Sequence, residues 1–168
     1  MSIVKYVKLF MLLVLTGLIG VGCAEAGEKK FAFPDDLPEF VLESDFDIID
    51  WERQAGEFDG MVGNQNMVGV IGADMPSLNG QKWMWHLWGI DEVLGKELTV
   101  VGYHKETETI HPILTSSNDS WSVTLAGENN GADAHTPSSV KFTEPGEWAL
   151  LLYVNEELFD IIVLNINE

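Results

Sequence analysis

The chain has 168 residues, with 27 acidic side chains against 9 basic, 46% apolar residues and one cysteine. That length holds one globular domain with a short appendage and leaves no room for two full domains. A formal charge of minus 18 argues against nucleic acid and anionic lipid headgroups as partners, because both associations need lysine and arginine to neutralise phosphate. A single cysteine makes neither an internal disulfide nor a cysteine-rich zinc or iron-sulfur site, so the fold has to stand on its apolar core.

Lys5 and Lys8 form a short basic start ahead of an apolar run over residues 9–21, the layout of a secretory signal peptide. As a helix that run reaches about 20 Å, short of the roughly 30 Å that a spanning helix needs, so a permanent transmembrane anchor is not expected. The run ends in Gly20, Val21, Gly22 and Cys23. This resembles the lipobox of bacterial lipoproteins, in which small residues precede a cysteine that is diacylated and becomes the new N-terminus. The resemblance implies a signal peptide over residues 1–22 and lipid attachment at Cys23. Gly20 departs from it, since that family usually carries leucine three residues before the cysteine, and here Leu18 lies two positions further back. A conventional cut after Ala26 is the alternative, because Ala24, Glu25 and Ala26 form a small-x-small site. The only cysteine falls where a lipobox requires it, which favours lipidation. Two acyl chains hold a protein on a bilayer without a spanning helix, at about 0.8 kcal/mol for each methylene buried. Removing residues 1–22 takes away two lysines and no acid, which moves the formal charge from minus 18 to minus 20.

Residues 23–39 read as the lipidated N-terminus and a flexible tether, being small, charged or proline-containing, with Phe31 and Phe33 able to dock on the domain. Residues 40–168 read as the domain. From Phe40 onward short β-branched and aromatic runs alternate with glycine, asparagine, aspartate and proline about every ten residues, the rhythm of an all-β domain. The clearest runs are 67–71, 82–88, 98–104, 121–125, 138–142, 148–154 and 158–166, with a weaker strand at 46–51. No segment after Ala24 keeps a helical apolar period for three turns. The expected fold is an all-β sandwich or small barrel of seven to eight strands, which buries enough apolar surface to hold without a disulfide.

At the end of the chain Glu144, Pro145, Gly146 and Glu147 make a turn into an alternating strand, Trp148 to Val154. Asn155, Glu156 and Glu157 then turn it back into Leu158 to Ile166, which reads as a terminal β-hairpin. The pattern Pro-Gly-x-Trp-x-Leu-x-x-Tyr-Val, a polar turn and Leu-Phe with a β-branched run resembles the closing hairpin of bacterial immunoglobulin-like sandwich domains. With the Trp-rich segment 82–89 and the segment 135–139, it is similar to a poorly characterised group of Gram-positive surface lipoproteins built on one such domain. The resemblance covers about residues 40 to 168, implies an immunoglobulin-like β-sandwich, and implies no known reaction.

On the Trp-rich strand, alternation puts Trp83, Trp85 and Leu87 on one face and Met84, His86 and Trp88 on the other. Core packing is the expectation for Trp83 and Trp85. His86 and Trp88 are the candidate ligand-binding residues, since a face opposite the core meets solvent or a partner, and an indole face suits sugars and peptide edges. The four histidines (His86, His104, His111, His135) show no His-x-His or His-x3-His spacing, so no metal site is expected. Glu128, Asn129, Asn130, Gly131 and Asp133 crowd oxygen ligands around a glycine without the EF-hand pattern, and read as a loop between strands. There is no nucleophile elbow, no Ser-x-x-Lys and no cysteine left free after lipidation. The glycines at 56, 60, 63, 69 and 72 make no phosphate cradle because no helix follows them. No catalytic residue and no cofactor are expected. The sequence reads as a non-catalytic, lipid-anchored extracytoplasmic binding module, whose ligand is a protein, a peptide or a cell-wall glycan. A proteinase-inhibitor-like sandwich or an accessory subunit of a membrane complex is the alternative, and loop chemistry discriminates between them.

Overall fold

The computed structural model describes residues 32–115 and 119–168. The expected signal peptide, Cys23 and residues 24–31 of the expected tether lie outside the described residues. The fold is nearly all β. After one short helix, α1 (Ser44–Asp47), come β1 (Gly56–Phe58), β2 (Met61–Asn64), β3 (Val68–Ile71), β4 (Gln81–Leu87), β5 (Glu97–His104) and β6 (Thr109–Pro112). These are followed by β7 (Leu114–Thr115), β8 (Asp119–Ser120), β9 (Ser122–Thr124), β10 (Ala134–Val140), β11 (Gly146–Val154) and β12 (Glu157–Ile166).

The strands form two antiparallel sheets arranged as a β-sandwich. Sheet I has the order β1-β2-β3-β4-β10-β7-β8, and sheet II has β12-β11-β5-β6 with β9 also paired to β5. Tight turns set the registers. Asp59-Gly60 links β1 to β2 and Asn155-Glu156 links β11 to β12, each with positive φ at both residues. Such turns match the right-handed twist of the flanking strands, and glycine reaches that conformation at no steric cost.

One apolar core lies between the sheets. Sheet I sends in Val68, Val70, Trp83, Trp85 and Leu87; sheet II sends in Leu98, Val100, Trp148, Leu150, Leu152, Ile162 and Leu164. Its centre is aromatic, with Trp83 and Trp85 5.5 Å apart, Trp83 and Phe142 5.6 Å, and Phe142 and Trp148 5.4 Å between ring centroids. Trp85 Nε1 donates to Ser138 Oγ at 2.8 Å and Trp148 Nε1 to the Glu144 carbonyl at 3.1 Å. Two of the three buried indoles thereby keep a partner for their one polar atom, as burial requires. The expectation of core packing for Trp83 and Trp85 is met.

The outer faces of the two sheets differ. That of sheet II is covered by the chain itself: residues 33–51 lie over Val101, Tyr103, Ile110, Ala149, Leu151 and Tyr153. Tyr153 donates its hydroxyl to Asp45 Oδ2 at 2.9 Å and Trp121 Nε1 donates to Asp36 Oδ2 at 3.1 Å. Leu37 and Phe40 pack against the same cluster and Phe33 lies 5.8 Å from Phe46. The described part of the expected tether is thus laid on the domain, and Phe33 docks as anticipated.

The weak strand expected at 46–51 is corrected by α1. Phe46 and Ile49, three positions apart, are the residues that are buried, while Ile48 is exposed. Burial at that spacing asks for a helical turn over the sheet, whereas a strand would bury every second residue. Strand β10 begins at Ala134, four residues before the expected 138, and runs through Pro137. The His135 amide donates to the Ala126 carbonyl, so alternation points the Pro137 nitrogen to that same side, beyond the short β7 that pairs only Ser139 and Val140. A missing N–H costs nothing where no neighbouring strand is present to accept it. The strands β1, β2, β6, β7 and β8 have no counterpart among the expected runs, each being two to four residues long.

The edge of β12 is closed rather than free. Ala55 donates its amide to the Val163 carbonyl at 2.9 Å, and Asn64 Nδ2 reaches the Ile161 carbonyl and Asp160 Oδ2, each at 2.9 Å. An occupied edge does not template pairing with another chain. Since the core is held by packed rings, Trp148→Ala should cost about 3–5 kcal/mol through lost burial and the cavity left behind. The check is the urea midpoint of the variant at unchanged m-value.

Candidate functional site

Apart from a small hairpin at residues 129–132, the described residues lay no cover over the outer face of sheet I like that which sheet II carries over residues 101–103 and 149–153. The register pairs Ile71 with Met84 and Met84 with Pro137, so these three side chains form an apolar row across β3, β4 and β10, on the face opposite Trp83, Trp85 and Leu87. Ile71 is 40% exposed, Met84 half-buried and Pro137 exposed. The row floors a depression of about 580 Å³, flanked by Lys82, Thr115 and Ser139. At Ile71 and Gly72 it meets a second depression of about 720 Å³, lined by Phe58 and Met61 and rimmed by Glu57, Asp59 and Asp74. Together they make a trough across the sheet, with aliphatic, thioether and phenyl groups below and carboxylates at one end.

The expected ligand-binding pair sits on this same face, further along β4. His86 is fully buried and Trp88 half-buried, so His86 does not meet solvent as the sequence reading required. The reason lies in residues 129–132, where Asn130 and Gly131 both take positive φ and Asn129 pairs with Ala132. That Asn-Gly turn folds a small hairpin over the strand. Asn130 Nδ2 lies 3.0 Å from His86 Nε2, and Trp88 Nε1 donates to the Gly131 carbonyl at 2.8 Å. Asp133 accepts from the amides of Gly89 and Ile90 at 2.5 and 3.3 Å. The oxygen-rich loop noted in the sequence is thus engaged in covering β4. His86 Nδ1 is buried without a hydrogen-bond partner among the described residues.

The other histidines are dispersed. His104 Nδ1 bonds Thr107 Oγ1 at 2.7 Å, while its Nε2 approaches the Pro145 carbonyl at 3.0 Å and Glu106 Oε2 at 2.9 Å. His111 Nε2 meets Thr109 Oγ1 at 2.8 Å and His135 Nδ1 meets the Gly127 carbonyl at 2.6 Å. Among the described residues no three histidine, cysteine, aspartate or glutamate side chains converge as a metal site would need.

Sequence reasoning passed over Ile71, Met84, Pro137, Phe58 and Met61. Alternation along β4 had already put Met84 on the face of His86 and Trp88, but an exposed methionine carries no spacing signature. A second signal was the clustering of methionines: Met61, Met67, Met75 and Met84 all fall between β2 and β4.

Burial pushes the His86 imidazole below its ordinary 6.5, and His135 adds to the effect. Burial also lowers His111, against Glu144. Both are therefore more readily protonated in the unfolded chain, so the stability they confer is complete above about pH 6.5 and drains away as the pH falls. Urea midpoints measured from pH 7.5 to 5.0 should fall less in His86→Gln than in the wild type; parallel curves would refute this.

A crystal structure of a "Putative Lipoprotein from Bacillus anthracis" has the same fold, with a TM-score of 0.60 at 20% identity, over 77% of this chain and 95% of that one. Among curated proteins none matches the chain. No helix of the described residues is long and apolar enough to cross a membrane. Residues 40–164 match the family described as "Domain of unknown function (DUF4871)"; spanning most of the chain and both sheets, that match makes this protein a member of the family.

Proposed function

We propose that this protein is a non-catalytic, lipid-anchored extracytoplasmic binding module with an immunoglobulin-like sandwich, which takes its ligand on the outer face of sheet I. The observation that carries the reading is the asymmetry of the two outer faces: the chain seals one with its own residues 33–51 and leaves on the other an apolar trough over Ile71, Met84 and Pro137. Exposed apolar surface of that kind is retained where something is bound.

The immunoglobulin-like assignment is supported by strand order. The sequence β12-β11-β5-β6 corresponds to G-F-C-C′ and β3-β4-β10-β7 to A-B-E-D, the two sheets of that architecture. The lipid anchor is supported by the lipobox resemblance ending at Cys23 and by the description of the Bacillus anthracis protein of similar fold.

One observation favours the inhibitor-like alternative. The loop from Gly89 to Lys96 is pinned by Asp133 and by Lys96 Nζ bonding the Asp91 carbonyl, and it presents Leu94 fully exposed at its tip. A rigid loop with one projecting apolar side chain is what entry into a protease cleft requires.

Two measurements test these readings. Grown with a palmitate analogue, the wild type should be labelled and sediment with membranes, whereas Cys23→Ala should be unlabelled and soluble; an unmodified natural N-terminus at Gly27 refutes the anchor. Cross-linking on native membranes should lose its partner with Ile71→Ser/Met84→Ser and keep it with Leu94→Ser; the reverse pattern moves the contact to the loop.

A further inference from the structure

We infer that the trough is built for a polypeptide segment that carries apolar side chains next to lysine or arginine, an inference that rests on the contact face proposed above. The floor argues for a polypeptide. Sugar rings are held by flat indole faces with polar groups around them, but Trp83, which borders the depression, is only 1% exposed, Trp85 is buried, and Trp88 is bonded to Gly131 and stacked with His86 under the small hairpin. What faces outward is Ile71, Met84 and Pro137, continued by half-buried Phe58 with Met61, 6% exposed, beside it. Unbranched thioethers adapt to varied apolar side chains, which suits peptide residues better than a fixed glycan outline. From β10 to β2 the trough crosses four strands, a span of about 15 Å at about 4.8 Å per strand, enough for four or five residues of extended chain.

Charge fixes the rest of the occupant. Glu57, Asp59 and Asp74 rim the end beyond Ile71, all three exposed and without an ion-pair partner among the described residues. Lys82, on β4 between Ser139 and Gly72, is the one cation in the lining, against three carboxylates. An occupant with basic side chains beside its apolar ones meets those carboxylates, while an acidic peptide or an anionic bilayer is repelled. The net charge of minus 18 draws such a partner in over distances set by the ionic strength.

The test uses the full chain in phosphatidylcholine nanodiscs, with empty nanodiscs as the blank. Three labelled heptapeptides of alternating Leu/Lys, Leu/Glu and Ser/Lys are titrated and followed by fluorescence anisotropy. Leu/Lys should bind about tenfold or more tightly than either of the others. Ile71→Ser/Met84→Ser should weaken it about tenfold, and Glu57→Gln/Asp59→Asn/Asp74→Asn should do the same and flatten its salt dependence. Neutralising Glu43, Asp47 and Glu52, which flank the other sheet, should leave it unchanged; equal weakening there overturns the site in favour of diffuse attraction. Leu/Glu binding as well as Leu/Lys, with both lost in Ile71→Ser/Met84→Ser, overturns the cationic chemistry and leaves the contact face standing. A peptidoglycan fragment that binds and is lost in the same variant overturns the polypeptide assignment alone. Leu/Lys binding indifferent to Ile71→Ser/Met84→Ser overturns both the inference and the contact face.

Discussion

The architecture depends on aromatic packing between two sheets that nothing covalent joins. The one cysteine, Cys23, precedes the domain, so the two sheets are held chiefly by rings and branched aliphatic side chains, with Asn64 of β2 hydrogen-bonded across to β12. Trp83, Phe142 and Trp148 make a chain of tilted and edge-on contacts across the core, the geometry that aromatic quadrupoles favour over parallel stacking. Every hairpin that carries one of these residues must be in register for the rings to meet, since a slip of one residue turns each side chain to the opposite face. This ties the Asn155-Glu156 turn to the core: its backbone geometry, with the register shift between Leu152 and Tyr153, fixes which face Trp148 occupies.

Much of this was legible in the sequence, for reasons that can be named. The terminal hairpin was clear because β11 and β12 are long and bounded by strong turn residues, and β4 because two tryptophans and a leucine alternate along it. The short strands escaped because two to four residues carry no measurable period; β7 and β8 exist through pairing with β10 and with each other. Residues 46–51 were misread because Phe46, Ile48 and Ile49 are apolar together, and only the surface beneath decides whether the chain lies on it as a turn of helix or as a strand. Proline concealed the start of β10, because the gap beside Pro137 is created by other strands.

The candidate site was legible in its face and not in its position along that face. Period-two alternation assigned Met84, His86 and Trp88 to the side away from the core, as found. Which of them stays open is decided by residues 129–132, whose Asn-Gly turn could be recognised as a turn but not as a lid over a strand some 44 residues earlier. Tertiary cover of this kind is non-local, and an aromatic-rich segment draws attention away from a methionine one step along.

The covering of sheet II by residues 33–51 has a mechanical side. Tension applied to the polypeptide ahead of residue 32 is delivered first to this outer layer, through Asp36 on Trp121 and Asp45 on Tyr153, and not to the ladders of either sheet. The layer can yield a few contacts at a time, as a strip peels, before load reaches the hydrogen bonds that resist shear together. A domain built in this order has a sacrificial fastening upstream of its core, so the sheets and the opposite trough keep their shape while slack is drawn out.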